Sequence, residues 1–281
     1  MPIRLGQTVL STTAIANGQR VELSFGRDGS TARIPAVMLL PPAHLPTSPA
    51  ALLLHGFSSR KEQIAATVGE ALLAKGIASL SIDLPLHGER IAAGRETSWG
   101  TVGGYERAFD GSALRKPLAM AGAWRTAQRD VRLAVAYLRA RRDVDRTRIA
   151  IVGYSMGSVL AVQAAAEEPS VRAVVLAAGG DLPEGLPYAR ALRLIVDPLR
   201  AVRRLSGRPL LMLHGRHDQT VRPVQAERLF DAAQEPKTLR WYDAGHHLPA
   251  VALGDAADWL SQQLLADVSL HGGVLPASRT G

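Results

Sequence analysis

From Ala50 onward the chain carries short, largely apolar runs that do not alternate with polar residues: Ala50–Leu54, Ile77–Ile82, Arg148–Val152, Val171–Ala177 and Pro209–Leu213. A strand with one wet face alternates; an unbroken run suits a strand covered on both faces, as in a parallel sheet. Helical spacing fills most of the gaps. Ile64, Val68 and Leu72 fall at i, i+4 and i+8, and Trp124, Ala127, Val131, Val135 and Leu138 share one face of a long helix. Ala226, Leu229, Phe230 and Ala233 repeat at i, i+3, i+4 and i+7, with Pro223 placed for a helix start. Strand and helix alternate to residue 265, which predicts an α/β fold with right-handed crossovers and helices on both faces of an open sheet. The leader differs. Arg20-Val21-Glu22-Leu23-Ser24-Phe25 has strict period two, and Ile34 to Leu40 runs into Pro41-Pro42. Antiparallel strands within 8–40 joining the same sheet fit one domain over 1–281, with a tail at 267–281, better than two domains.

Composition excludes several function classes. The chain has no cysteine, so disulfides, thiolate zinc sites, iron–sulfur clusters and a thiol nucleophile are all ruled out. No apolar stretch approaches the ~20 residues of a membrane span, and the start Met1-Pro2-Ile3-Arg4 lacks a signal-type apolar core. The expected location is the cytoplasm. The net charge of +8 is carried almost wholly by arginine, since only Lys61, Lys75, Lys116 and Lys237 are lysine. The arginines are scattered and aromatics make up only 5%, leaving little for a base-stacking platform, so a nucleic-acid partner is not expected.

Two segments break the strand–helix rhythm. Residues 84–116 form a long Gly-rich stretch with Trp99 and Tyr105, and loops of that length in a compact domain are functional or disordered. Residues 181–207 place Leu192, Ile195, Val196, Leu199 and Val202 at helical spacing among arginines, with Asp197-Pro198 splitting the segment into two short helices. That pair is a candidate lid over a pocket, with a plain surface connection as the alternative.

The chemistry centres on Gly153-Tyr154-Ser155-Met156-Gly157, between the run Arg148–Val152 and an Ala-rich helical stretch. A serine on a sharp strand-to-helix turn adopts strained dihedrals, and glycine two positions to either side avoids collision. The helix start offers free N–H groups to a developing oxyanion. A serine hydroxyl needs a base, held in turn by a carboxylate. Candidates follow downstream: Asp218 in His214-Gly215-Arg216-His217-Asp218, and His246 in Asp243-Ala244-Gly245-His246-His247. His55 and His214 precede glycines at strand ends and read as loop braces. A metal cluster at His214, His217 and Asp218 lacks a further ligand nearby, so no metal and no cofactor is expected.

Taken in order, Leu54-His55-Gly56-Phe57, Asp83 through His87-Gly88, the serine turn, and the Asp218 and His246 loops resemble an α/β-hydrolase fold serine hydrolase. The style is that of the dienelactone-hydrolase-like, acyl-esterase branch with its carboxylesterases, and the likeness covers roughly 33–266. It implies a Ser155–Asp218–His246 triad, with His246 preferred to His247 as the base. Asp83 is a lesser alternative for the orienting acid. It also implies an oxyanion hole from the backbone N–H groups of Phe57 and Met156. His87, Trp99, Tyr105, Leu192 and Val196 are candidate pocket residues. The expected activity is hydrolysis of a small-molecule carboxylic ester. Thioesterase, acyltransferase or small-peptidase chemistry on the same residues stand as alternatives, and a non-catalytic binding member of the fold is a remoter one.

Overall fold

The computed structural model describes residues 4–42, 47–91, 115–183 and 192–265. Through them runs one nine-stranded sheet: β1 (Leu5–Ile15), β2 (Gly18–Arg27), β3 (Ile34–Leu40), β4 (Ser48–Leu54), β5 (Ala78–Ile82), β6 (Val144–Tyr154), β7 (Val171–Ala177), β8 (Leu210–Gly215) and β9 (Lys237–Tyr242). Their spatial order is β1-β2-β3-β5-β4-β6-β7-β8-β9. The pairs β1–β2, β2–β3 and β3–β5 are antiparallel. From β5 through β4, β6, β7 and β8 to β9 every pair is parallel. The period-two leader therefore extends the parallel sheet at one edge.

Helical elements cover both faces. They are α1 (Lys61–Ile64), a π-helical turn (Ala65–Gly69), α2 (Glu70–Leu73), α3 (Arg115–Ala140), α4 (Met156–Glu167), α5 (Pro198–Arg203), α6 (Pro223–Ala232) and α7 (Ala250–Leu265). Successive side chains on a strand point to opposite faces. Leu52, Leu54, Leu80 and Ile82 accordingly pack with Val131, Val135 and Leu138 of α3 and Leu160 of α4. Ala51, Leu53, Ala150 and Val152 pack the other way, onto Ile64, Val68, Leu72 and the α7 residues Leu260 and Leu264. Two buried faces explain why these runs show no alternation. Among the described residues no helix is long and apolar enough to cross a membrane.

The topology also fixes where chemistry can occur. The chain moves from β4 outward to β5, then returns to the opposite side of β4 as β6. Leu54 pairs with Gly153 across that switch, so His55-Gly56 and Tyr154-Ser155 leave the sheet side by side at its carboxyl edge. Such a crevice is where open α/β sheets bind ligands.

The described part of the second insertion runs down the flank of the sheet. Asp197 caps α5 by accepting from Arg200 N at 3.0 Å, with Pro198 at the first turn, so the split falls where the sequence places it. Gln163 donates through Nε2 to Ile195 O at 3.0 Å, and Arg193 pairs with Asp181 at 2.9 Å. Gln163 lies about two turns along α4 from Ser155. Leu192 and the buried Val196 therefore flank the middle of α4, and the pocket position expected of them at Ser155 is not where the described contacts put them. The cause is the crossover itself, which must descend the flank to reach the start of β8.

Candidate active site

Ser155 sits between β6 and α4 with φ 52° and ψ −115°. Left-handed φ is costly for a residue with a Cβ, and its surroundings leave no alternative. A Cβ on Gly153 would stand 2.2 Å from Gly157 O, and one on Gly157 2.2 Å from Leu54 O. Both positions therefore admit only glycine, which is the physical content of the spacing. The Ser155 N–H is tied to Ala177 O at 2.8 Å, while Ser155 O accepts from the backbone N and the Oγ of Ser158 at 2.9 and 2.6 Å. The turn is fixed from within. Met156 opens α4, so its N–H belongs to the first-turn donors that have no partner inside the helix.

The β8 and β9 loops bring the other two residues to this serine. His246 Nε2 lies 2.9 Å from Ser155 Oγ, and His246 Nδ1 lies 2.8 Å from Asp218 Oδ2. A carboxylate only accepts, so Nδ1 carries the proton and Nε2 is a bare acceptor for the serine hydroxyl. Asp218 is fully buried and its Oδ1 accepts from Thr220 N at 2.8 Å and Val221 N at 2.9 Å. Burial works to raise its pKa, but hydrogen bonds from His246 and the Val221 and Thr220 amides hold the carboxyl below the usual range. His247 is exposed, its ring 6.0 Å from that of His246. His214 braces the acid: Nε2 donates to Val221 O at 2.8 Å and stands 3.6 Å from Asp218 Oδ2. His217 instead meets Asp243 at 2.7 Å. Among the described residues no group of three or more His, Asp or Glu is placed to hold a metal ion.

The loops after β4 and β5 flank the serine on the other side. A Cβ on Gly56 would be 3.3 Å from Ser155 Cβ, which brings the backbone leading into Phe57 against the Ser155 turn. Asp83 lies at the end of β5 and is wholly buried; it accepts from Lys61 N at 3.0 Å, Lys61 Nζ at 3.1 Å and Glu89 N at 3.0 Å. In place of the alternative role as orienting acid, the Asp83 carboxylate accepts from the Lys61 backbone and ammonium and from the Glu89 amide, while the carboxylate bonded to His246 is that of Asp218. His87 is buried at the Gly88–Arg90 turn, its ring 5.1 Å from His55 and 5.7 Å from Phe57. Trp99 and Tyr105 lie outside the described residues.

Two contributors escaped the sequence reading. Tyr154 donates to His246 O at 2.7 Å and accepts from Leu248 N at 2.9 Å, clamping the His246 loop onto the Ser155 turn. The aromatic beside the serine was a signal, but only the fold reveals its partner. Lys61 was the other. It is one of four lysines, stands at the start of α1, and is 2% exposed in contact with Asp83, Glu62 and Glu89.

A model of the alpha/beta hydrolase family matches residues 51–269. The chain belongs to that family. Among solved structures it is similar to a cold-adapted esterase from an Arctic intertidal metagenomic library, at TM-score 0.66 and 22% identity, over 91% of this chain and 98% of that one. It is also similar to acetyl xylan esterase 1 from Thermoanaerobacterium sp. JW/SL YS485, at TM-score 0.67 and 20% identity, over 94% and 89%. Identities this low establish the shared fold. Two curated relatives are an uncharacterized protein of Mycobacterium tuberculosis strain H37Rv, 33% identical over 114 residues, and the uncharacterized protein YfhR of Escherichia coli K12, 28% identical over 131 residues. The alignments cover 38% and 43% of this chain, and 41% and 45% of those proteins, so the chain spans less than half the length of the curated relatives it matches.

Proposed function

We propose that the protein is a serine esterase that hydrolyses carboxylic esters of small to medium acyl or alcohol groups through an acyl-enzyme. The observation that carries this is the unbroken line from Ser155 Oγ to His246 Nε2 at 2.9 Å and from His246 Nδ1 to Asp218 Oδ2 at 2.8 Å. Ser155 Oγ attacks the ester carbonyl while His246 Nε2 takes its proton, and the same proton passes to the leaving alcohol. Asp218 keeps Nδ1 protonated and stabilises the imidazolium that forms. The N–H groups of Met156 and Phe57 receive the oxyanion. Water, deprotonated by His246, then releases the acid and regenerates Ser155. The two solved structures similar in fold, both esterases, are consistent with this chemistry.

The test is a panel of nitrophenyl esters of rising acyl length beside a thioester and a peptide amide. The esters should turn over fastest, and a serine-directed phosphonate should label Ser155 alone. Ser155→Ala should lower turnover by about three to six orders of magnitude. Stoichiometric labelling of another serine, or faster turnover of the amide, would overturn the reading.

A further inference from the structure

Beside the Phe57 loop lies a cleft of about 790 Å³ whose lining includes Ser58, Glu62, Gln63, His87, Glu89 and Ile91. It adjoins the serine through short links: the His87 ring meets the Phe57 ring edge-on at 5.7 Å, and Gly56, the residue before Phe57, abuts Ser155.

Two lining residues carry buried polar atoms with no hydrogen-bond partner among the described residues. His87 is 6% exposed, and its Nδ1 lies 2.9 Å from Pro85 O. A carbonyl only accepts, so Nδ1 holds the proton and Nε2 of the neutral ring is a bare acceptor. Burial lowers the pKa of His87 against the opposing pull of the Pro85 carbonyl, which keeps that ring neutral. Nε2 is buried on a side chain that lines the cleft and has no hydrogen-bond partner among the described residues. Glu62 Oε2 is likewise buried and without a hydrogen bond among them, with Arg60 Nε 3.5 Å away. Buried polar atoms are nearly always paired, and since Glu62 Oε2 has the Arg60 guanidinium as its ion-pair partner, the unmatched Nε2 of His87 is the atom that points to a donor arriving with a ligand.

We infer that this cleft receives a hydroxyl-bearing part of the ester and that His87 Nε2 accepts a hydrogen bond from that hydroxyl, making His87 a specificity residue. The inference rests on the esterase reading above. A neutral hydroxyl fits better than an ammonium because Glu62 and Glu89 are already paired with Lys61, and the Arg60 guanidinium stands beside Glu62. An aliphatic group in the same place would leave Nε2 dry and unpaired, which is how a site built for a hydroxyl rejects the analogue lacking it.

The experiment compares kcat/KM for propyl butyrate, 2,3-dihydroxypropyl butyrate, propyl 3-hydroxybutyrate and 3-aminopropyl butyrate. The two hydroxylated esters place the donor on the alcohol or on the acyl side. One of them should exceed propyl butyrate by about tenfold. His87→Phe, which fills the space without an acceptor, should collapse that ratio toward one. His87→Gln, whose amide oxygen accepts, should restore part of it, whereas a histidine that merely filled space would show no such rescue. Equal rates on all four esters, a preference for the ammonium ester, or a hydroxyl preference that survives His87→Phe would overturn the inference. Propyl butyrate turnover that is lost in Ser155→Ala reports on the esterase reading separately, so a missing hydroxyl preference beside such turnover refutes only the role of His87. Absence of turnover on every ester refutes both.

Discussion

Acidification should destabilise this protein in part through one imidazole, that of His55. The side chain is 1% exposed, its Nδ1 lies 2.7 Å from Gly56 O, and its Nε2 accepts from Leu84 N at 3.1 Å. A carbonyl accepts and an amide donates, so only the neutral tautomer with the proton on Nδ1 satisfies both. A second proton would set an N–H against the Leu84 N–H. Burial is the largest influence and His87 adds to it, against Gly56 O and Asp83, so that the pKa falls from 6.5 to about 4. In the unfolded chain His55 binds a proton near 6.5; in the folded protein it does so only near 4. Between those values the unfolded state holds more protons, so stability is complete above the window and drains away as the pH falls through it. At ~1.4 kcal/mol for each pH step the window is worth about 3 kcal/mol, against roughly 5–15 kcal/mol for a whole domain. Urea unfolding of wild type and His55→Gln, followed from neutral pH down to about 4, isolates this group from the other titrating residues. The wild type should lose about 3 kcal/mol more than the variant across the window. Parallel curves would refute the argument, and with it the claim that His55 is locked neutral between the two loops.

Three further outcomes are expected. His246→Ala should be nearly inactive while His247→Ala keeps at least about a tenth of wild-type kcat/KM, because only His246 bridges Ser155 and Asp218; steady-state assays on one ester decide the ranking. Phe57→Ala retains the backbone N–H and should stay within about tenfold of wild type, whereas Phe57→Pro deletes it and should lower kcat by about a hundred- to thousandfold, judged on protein whose melting temperature and phosphonate labelling are intact. Lys61→Met leaves the buried Asp83 carboxylate with its two amide donors and no cation, and should cost about 3 kcal/mol in a urea titration; a loss below about 1 kcal/mol would show that the amides alone satisfy it.

What the sequence made legible was whatever rests on local pattern. The runs from Ala50 to Leu213 became the central parallel strands because residues that need both faces buried leave an unbroken apolar signature. The glycines at 153 and 157 announced a turn that tolerates no Cβ. The order of Ser155, Asp218 and His246 along the chain was readable because each follows a strand, and parallel strands deliver their ends to one edge. Contacts between distant segments were not readable. Nothing near Tyr154 in sequence signals that its hydroxyl reaches His246 O and Leu248 N, 92 and 94 residues away. The insertion at 181–207 shows the same limit differently. Its amphipathic spacing and Asp197-Pro198 pointed to the helix that opens at Pro198, yet the same spacing serves a lid or a flank, and only a contact such as that of Gln163 with Ile195 O places the described part along α4.

The acid at the end of β5 gains its meaning from this comparison. Asp83 and Asp218 are both fully buried carboxylates in loops at the strand ends, and in sequence either could orient a base. Their partners separate them. Asp218 meets two amides on Oδ1 and leaves Oδ2 to His246. Asp83 has both oxygens taken by the 61 and 89 backbones and the Lys61 ammonium, and Gly88 lies so close that a Cβ there would be 2.2 Å from Asp83 Oδ1. Together with the bond from Leu84 N to His55 Nε2, this ties the loop after β4 to the loop after β5 at several points. The first loop carries Phe57 and the second carries His87. A donor aimed at an oxyanion is effective only when it need not reorganise during the reaction, and a carboxylate that pins two loops supplies that rigidity without touching substrate. One buried acid thus sets the tautomer of His246, and the other ties together the loops that carry Phe57 and His87.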